Sequence, residues 1–311
     1  TFHHLPSIRG NQSEEIFQLF TEWLEKNRDH QWFAYLHFMD PHDPYDAPSP
    51  YRQTFSDQAY DGAFADPDAL NKVFRKINFG KSSPLPFTDE DIAYLEDTYD
   101  EEILSWDQQF KKLVDWLQGE GLLEFTIIVV TSDHGEEFAE HGLLKHGSQL
   151  YEESIRVPLV LRAPGRVAPG RVPRAVETRG IHDALIQLAG LPASSKATSE
   201  LLSEPSEKPR LVFSHLKYQP KPGVARGPGL ASIRDGQWKF IQWNSPKRSE
   251  LYDLESDPDE LQDLSARYPE RTDRYDDLLA AWYSTRTKPQ DSESPRDEDL
   301  ENRLRALGYI E

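Results

Sequence analysis

Residues 126–147 read TIIVVTSDHGEEFAEHGLLKHG, an apolar, β-branched run followed by a polar loop. The run Thr126–Thr131 predicts a buried strand. The preceding segment Thr88–Leu117 has helical periodicity and is followed by Gly119 and Gly121, so it predicts a long helix that stops there. A helix, a buried strand and a glycine-containing loop at the strand's carboxyl end form the α/β arrangement in which ligands bind.

The loop after this strand concentrates groups that bind metals and transfer protons. Asp133-His134-Gly135 follows the strand directly, and such a carboxylate and imidazole could hold a divalent metal. A DHG triplet alone is more often a turn, and a charged loop is more often solvated. Three of the ten histidines, however, fall on this loop beside two glycines, which favours a functional site: His134, His141, His146, Gly142 and Gly147.

A second histidine loop lies upstream. The helix predicted over Ser13–Asn27 precedes Gln31–Met39, QWFAYLHFM, which predicts a buried strand. That strand ends at Asp40-Pro41-His42-Asp43-Pro44-Tyr45. Residues 46–87 carry five prolines and weak periodicity, which predicts an irregular excursion. The acidic positions around Glu96–Asp107 are interpreted as a solvated helix face.

The last third of the chain has the pattern of a small antiparallel sheet. The Ser-, Glu- and Pro-rich stretch 193–208 predicts a loop or boundary, and residues near 291–301 predict a surface segment. Asp235-Gly236 is a hairpin signal between two of the strands. A helix is predicted over Tyr268–Tyr283, after strands over Leu211–Leu216, Leu230–Arg234, Trp238–Trp243 and Glu250–Leu254.

Composition excludes several classes of function. The 311 residues carry a formal net charge of −19, which opposes binding to a nucleic-acid backbone. The absence of cysteine excludes disulfides, thiolate metal sites and a cysteine nucleophile. No apolar run is long enough to span a membrane, and the segment beginning at Thr1 lacks the pattern of a signal peptide.

The segment TSDHGEEFAEHGLLKHGSQLYEESIRVPLVLRAPG, residues 131–165, resembles the metal-binding segment of sulfatases of the alkaline phosphatase superfamily. Asp40–Tyr45 resembles the other histidine loop of that family and precedes DHG in the family's order. ELYDLESDPDELQDLS at 250–265 and RALGYIE at 305–311 resemble the tail of bacterial members. The resemblance implies an α/β sandwich with a mostly parallel central sheet flanked by helices. Residues 1–200 would be the C-terminal part of the catalytic domain, and residues 201–311 a C-terminal subdomain with a small antiparallel sheet.

The resemblance also implies roles for individual residues. Asp133 and His134 align with two metal ligands, and His42 with a histidine that contacts substrate. His146 aligns with a Lys or His that touches the sulfate and the leaving oxygen. Lys145, one position earlier, could take that catalytic role instead, and further substrate contacts are expected from His37 and His141. The metal is most simply Ca²⁺, although an imidazole where many members have Asn leaves Mn²⁺ or Zn²⁺ open.

The family's nucleophile is a formylglycine made from the Cys or Ser of a C/S-x-P/A-x-R motif. This motif does not occur in the 311 residues. Ser245-Pro246-Lys247-Arg248 has the wrong spacing and is interpreted as a turn. We therefore expect a C-terminal portion of a metal-dependent hydrolase of small-molecule or carbohydrate sulfate esters, with the formylglycine and an Asp-Asp pair upstream. The alternatives are a phosphonate monoester hydrolase or phosphodiesterase, and an inactive sulfatase-fold binding protein. The resemblance to this family favours a periplasmic or secreted location.

Overall fold

A computed structural model describes residues 13–66, 69–70, 72–73, 87–192, 201–202, 210–216, 229–244 and 247–285. The expectations for residues 291–301, for the tail at 305–311 and for the Ser245-Pro246 turn lie outside these residues. The chain divides into two compact units, whose described residues lie within 13–124 and within 125–285. We call them the N-terminal unit and the C-terminal unit. The division predicted near residue 200 stays a prediction.

Two helices form the frame of the N-terminal unit, as predicted. Helix α1 spans Ser13–Asn27 and packs against helix α2, which spans Asp89–Gly119. Thr88 caps α2 with a reciprocal pair of hydrogen bonds to Asp91. The first turn of α2 also carries three acidic residues, which the helix dipole stabilises at this end. The amphipathic pattern buries Phe17, Phe20 and Leu24 of α1, which fixes the helix against its neighbours.

Residues 31–39 form neither a helix nor a strand ladder in the described part of the chain, and more exposed side chains alternate with less exposed ones along them. Alternate side chains pack on the helices: Trp32 contacts Phe20 with ring centroids 5.7 Å apart, and Phe38 lies 4.8 Å from Phe17. The other face is bare, with Phe33 75% and Tyr35 79% exposed. The predicted buried strand is therefore half-buried, because burial of both faces of an extended segment requires neighbouring strands.

Buried carboxylates of α2 hold the irregular excursion that follows. Glu101 is 1% exposed and accepts hydrogen bonds from the backbone of Phe55 and from Ser56. Glu102, 3% exposed, accepts a 2.8 Å hydrogen bond from the Asp46 backbone. The solvated face predicted around these positions is thus wrong for Glu101 and Glu102, which satisfy backbone N–H groups that the excursion leaves unpaired.

Glu102 should make the stability of the N-terminal unit depend on pH. Burial, reinforced by the negative charge of Asp40, raises the pKa of Glu102 from 4.5 to about 7. The folded state then binds the proton more tightly than the unfolded state. The resulting stabilisation is complete below about pH 4.5 and is lost as the pH rises through about 7.

We therefore expect Glu102→Gln to flatten this pH dependence, because the amide mimics the protonated carboxyl. Relative to the variant, the unsubstituted chain should lose on the order of 1–3 kcal/mol between pH 5 and pH 8. Denaturant unfolding followed by tryptophan fluorescence measures this, with the exposed Glu96→Gln as the control on the same helix. Parallel curves for the Glu102→Gln variant and the unsubstituted chain would contradict the expectation.

The C-terminal unit contains three antiparallel ladders. Strand β1, Ile128–Thr131, pairs with β4, Leu159–Arg162, and β2, Glu137–Phe138, pairs with β3, Leu144–Lys145. The mostly parallel sheet is not confirmed, since every ladder among the described residues is antiparallel. A short helix α3, Glu152–Ile155, precedes β4, and helix α4, Gly180–Leu188, follows it. A single 3-10 turn, Leu123–Phe125, precedes β1.

The predicted small antiparallel sheet is confirmed. It is a meander of β5, Leu211–Leu216; β6, Leu230–Asp235; β7, Trp238–Asn244; and β8, Lys247–Asp253. The hairpin predicted at Asp235-Gly236 joins β6 and β7, with Gly236 at a φ of 61°. Helix α5, Pro269–Thr285, covers one face through Tyr275 and Leu279. No described helix is both long and apolar enough to cross a membrane.

The other face of this sheet packs on the segment that follows the site loop. Leu230, Ile241 and Tyr252 form a buried cluster with Leu150 and Tyr151. Because successive strand residues point to opposite faces, this cluster alternates with the one that α5 covers. The sheet therefore supports residues 150–155, and these residues in turn support the loop that carries the histidines.

Candidate functional site

The end of β1 presents Asp133 and His134. Thr131 Oγ1 donates a 2.8 Å hydrogen bond to the Pro158 carbonyl, which fixes the strand end. The Asp133 side chain is 61% exposed, and its Oδ1 lies 3.6 Å from His134 Nε2. His134 Nδ1 lies 2.8 Å from the Gly135 carbonyl, which can only accept. Nδ1 therefore carries the hydrogen, and in the neutral ring Nε2 keeps the lone pair that can bind a metal.

The β2–β3 hairpin returns the chain to the same place. Its register pairs Glu137 with Lys145, and continuing that register places Glu136 opposite His146. Accordingly, His146 Nδ1 lies 3.1 Å from Glu136 Oε2. The imidazole of His146 stacks on that of His134, with ring centroids 3.9 Å apart and an interplanar angle of 27°. The structure thus brings together two of the predicted histidines.

Glu136 is a site residue that the sequence pattern does not single out. One ligand atom from each of His134, Glu136 and His146 lies within 4.8 Å of the others, a group that could hold a metal ion. The Glu136 side chain is 5% exposed, whereas the rings of His134 and His146 are 34% and 23% exposed. The available signal was the hairpin itself: strands joined by a short glycine-containing turn bring their flanking residues opposite each other.

His141 lies in a different environment. Its Nδ1 is 2.6 Å from Glu153 Oε1 and its Nε2 is 3.1 Å from the Glu260 carbonyl, so both nitrogens face acceptors, which favours the protonated ring. Burial alone would lower the pKa of His141, but the hydrogen bonds and the charge of Glu153 outweigh burial and raise it. The ring also stacks on Tyr151 at 3.6 Å. These contacts favour a structural role, while the predicted contact with substrate stays a prediction.

Two further residues shape the loop. Lys145 lies on β3 with a φ of 68°, in the left-handed region that non-glycine residues seldom adopt. Gly135 donates a 2.8 Å hydrogen bond from its N–H to the Ser154 carbonyl. A Cβ at Gly135 would lie 1.9 Å from the Glu153 carbonyl oxygen, so only glycine fits there. This close approach packs the segment that carries His134 against α3.

The remaining predicted residues belong to the N-terminal unit. His42 Nδ1 donates a 2.8 Å hydrogen bond to the Asp43 carbonyl, and the ring also lies 3.5 Å from Asp43 Oδ1. The loop is attached to α1, because Asp40 accepts hydrogen bonds from the backbone and the hydroxyl of Ser13. His37 is exposed and stacks on Tyr35 at 6.1 Å. The roles predicted for His42 and His37 stay predictions.

The family described as "Sulfatase" matches residues 3–191, more than half of the chain. The family described as "N-sulphoglucosamine sulphohydrolase, C-terminal" matches residues 139–280. The first match contains both histidine loops, and the second extends over the four-stranded sheet.

Individual proteins of similar sequence include sulfatases. Arylsulfatase K of Bos taurus is 29% identical over 288 residues, which cover 83% of this chain and 52% of that protein. Choline-sulfatase of Rhizobium meliloti (strain 1021) is 26% identical over 301 residues, covering 85% and 55%. A crystal structure of phosphonate monoester hydrolase of Agrobacterium radiobacter matches with a TM-score of 0.70 and 26% identity, covering 88% of this chain and 60% of that one. The chain spans about half the length of the curated relatives it matches, and it belongs to the sulfatase family.

Proposed function

We propose that this chain carries part of the active site of a sulfuric ester hydrolase, which cleaves small-molecule or carbohydrate sulfate esters. The observation that carries the proposal is the stacked pair of His134 and His146 on the loop at the end of β1, in a chain of the sulfatase family. The named relatives, an arylsulfatase and a choline-sulfatase, act on sulfate esters by their names, which supports the same reaction class.

The chemistry explains the need for such groups. Cleavage of a sulfate ester places negative charge on the departing alkoxide, so a nearby donor that gives up a proton lowers the barrier. A carboxylate only accepts, so Nδ1 of His146 donates to Glu136 and the acid–base position of this ring is Nε2. We assign His146 to the leaving oxygen and His42 to the sulfate group. Lys145 is the alternative donor to the leaving oxygen.

The divalent metal of the family would be held here by Asp133 and His134. Their facing acceptors, 3.6 Å apart, fit two ligands of one ion. When bound, the metal supplies charge that stabilises the sulfate oxygens as the ester breaks. Two ligands fall short of the six to eight oxygens that Ca²⁺ prefers, so Ca²⁺ requires further carboxylates. We propose that these carboxylates and the formylglycine nucleophile come from residues outside this chain.

Substitution of the two histidines should test this proposal. In the complete product of the gene that encodes these 311 residues, His146→Ala and His42→Ala should each lower kcat for an alkyl sulfate, whose alkoxide leaves poorly without a proton, by about 10²–10⁴-fold, the usual contribution of a positioned acid or base. His182→Ala, an exposed histidine of the C-terminal unit, should leave the rate unchanged. Full activity of both site variants would refute the assignment.

A second candidate is a phosphonate monoester hydrolase. The similarity to the enzyme of Agrobacterium radiobacter, with a TM-score of 0.70 at 26% identity, favours it. The same half-site could serve either reaction, because both require a metal and cationic donors around a charged tetrahedral group. The curated relatives named as sulfatases make sulfate ester hydrolysis the first choice.

A further inference from the structure

One of the two oxygens of the buried Glu136 carboxylate is not explained by the roles proposed above. Its Oε2 contacts His146 Nδ1 at 3.1 Å, but its Oε1 is buried and has no hydrogen-bond partner among the described residues. In the described part of the chain, no Lys or Arg forms an ion pair with Glu136. Burying a carboxylate oxygen without a partner costs free energy, so a positive charge beside Glu136 would stabilise the folded chain.

The two histidines that flank Glu136 are arranged as metal ligands usually are. His134 donates its Nδ1 hydrogen to the Gly135 carbonyl, the interaction that fixes the tautomer of a metal-binding imidazole and leaves Nε2 as the ligand. His146 lies across the β2–β3 register from Glu136. Two ligand atoms at about 2.0–2.1 Å from one tetrahedral ion lie about 3.3 Å apart. The 3.1 Å between Glu136 Oε2 and His146 Nδ1 is close to that spacing, and binding the ion through both atoms would displace the hydrogen that Nδ1 otherwise donates to Glu136.

We propose that His134, Glu136 and His146 form a binding site for a borderline divalent transition metal, with Zn²⁺ as the best fit. Two imidazoles and one carboxylate are the donor set that Zn²⁺ uses in catalytic sites, with one position left open, whereas Ca²⁺ prefers oxygen ligands alone. One ligand atom from each residue already lies within 4.8 Å of the others, so small side-chain movements complete the site.

This site differs from the family arrangement because it uses Glu136 and His146 in place of Asp133. Both arrangements need His134, and one nitrogen binds one ion. Zinc bound by His134, Glu136 and His146 would therefore occupy two rings that the proposed hydrolysis uses, and zinc should inhibit that reaction. The inference itself concerns metal affinity and stands independently of the substrate.

Zinc titration of the metal-free 311-residue chain tests the site. Isothermal calorimetry should show one Zn²⁺ per chain, and Co²⁺ should develop visible d–d absorption when it binds. Glu136→Gln, which preserves shape, and His146→Ala should each weaken zinc binding by at least about tenfold. Asp133→Asn should change the affinity by less than about threefold, and His182→Ala should have no effect. Far-UV circular dichroism confirms that each variant is folded.

Two results would overturn the inference. Zinc binding by Glu136→Gln and His146→Ala at unchanged affinity would show that these side chains are not ligands. A loss caused by Asp133→Asn as large as that caused by His146→Ala would place the ion on Asp133 and His134. Neither result would bear on sulfate ester hydrolysis, which the histidine variants of the complete gene product test separately.

Discussion

Lys239→Met should lower the free energy of unfolding of the C-terminal unit by about 3–5 kcal/mol, because it removes the buried cation from a charge cluster that involves two carboxylates. Lys239 is 1% exposed and lies 2.9 Å from Glu260, which is itself 1% exposed, and 3.1 Å from Glu152. Arg234 also contacts Glu152, at 3.3 Å, but no described cation other than Lys239 pairs with Glu260. The variant therefore leaves Glu260 buried without its partner.

The pH dependence of this loss follows from Glu260. Burial raises the pKa of Glu260, and the positive charge of Lys239 opposes that rise. Without Lys239, the carboxyl should take up a proton more readily, so the destabilisation should be smaller at pH 5 than at pH 8. Denaturant unfolding at the two pH values measures the difference.

A double variant provides the matched control. Lys239→Met combined with Glu260→Gln removes both charges and keeps an acceptor for the Glu152 N–H, which Glu260 binds at 2.6 Å. It should recover most of the lost stability, since replacing a buried pair is far less costly than removing one partner. If the single and double variants unfold at the same denaturant concentration, the unpaired charge is not the cause.

Gly135→Ala should disrupt the site loop, at a cost of about 3 kcal/mol or more. The added Cβ would lie 1.9 Å from the Glu153 carbonyl oxygen, a backbone atom that cannot rotate away. Relief requires the loop to move off α3, which breaks the Gly135–Ser154 hydrogen bond and displaces His134. Both the thermal stability and the Zn²⁺ affinity of the chain should fall.

Gly170→Ala is the control for that experiment. A Cβ at Gly170 meets nothing within 4 Å, so the variant should be as stable as the unsubstituted chain and should bind zinc equally well. Equal melting temperatures for Gly135→Ala and Gly170→Ala would show that the loop tolerates a side chain at residue 135. The packing of His134 on α3 would then not be what holds the site together.

Much of the fold was predictable because its signals are local. The spacing of Phe17, Phe20 and Leu24 predicts α1, and the Asp235-Gly236 pair predicts the hairpin between β6 and β7. The segment 31–39 was harder, because its apolar run predicts burial of both faces. Only one of those faces has neighbours among the described residues.

The missed features depend on contacts between distant residues. Glu101 and Glu102 occupy acidic helix positions that usually face solvent, and the excursion that buries them lies more than forty residues away. Glu136 was missed for a similar reason. Its proximity to His146 depends on the β2–β3 register, and its role depends on an oxygen that no described group satisfies. The sequence shows that these acidic residues are present, but it does not show which groups will lie beside them in the fold.

The central claim, a sulfuric ester hydrolase of the sulfatase family, is tested most directly by substrate preference. The measurement is kcat/KM of the complete gene product for p-nitrophenyl sulfate and for p-nitrophenyl phenylphosphonate, under the same conditions and with the same metal. We expect the sulfate ester to be the better substrate, and the His42→Ala variant, which lacks the proposed contact with the sulfate group, to lose that activity. A higher kcat/KM for the phosphonate would contradict the claim and favour phosphonate monoester hydrolysis.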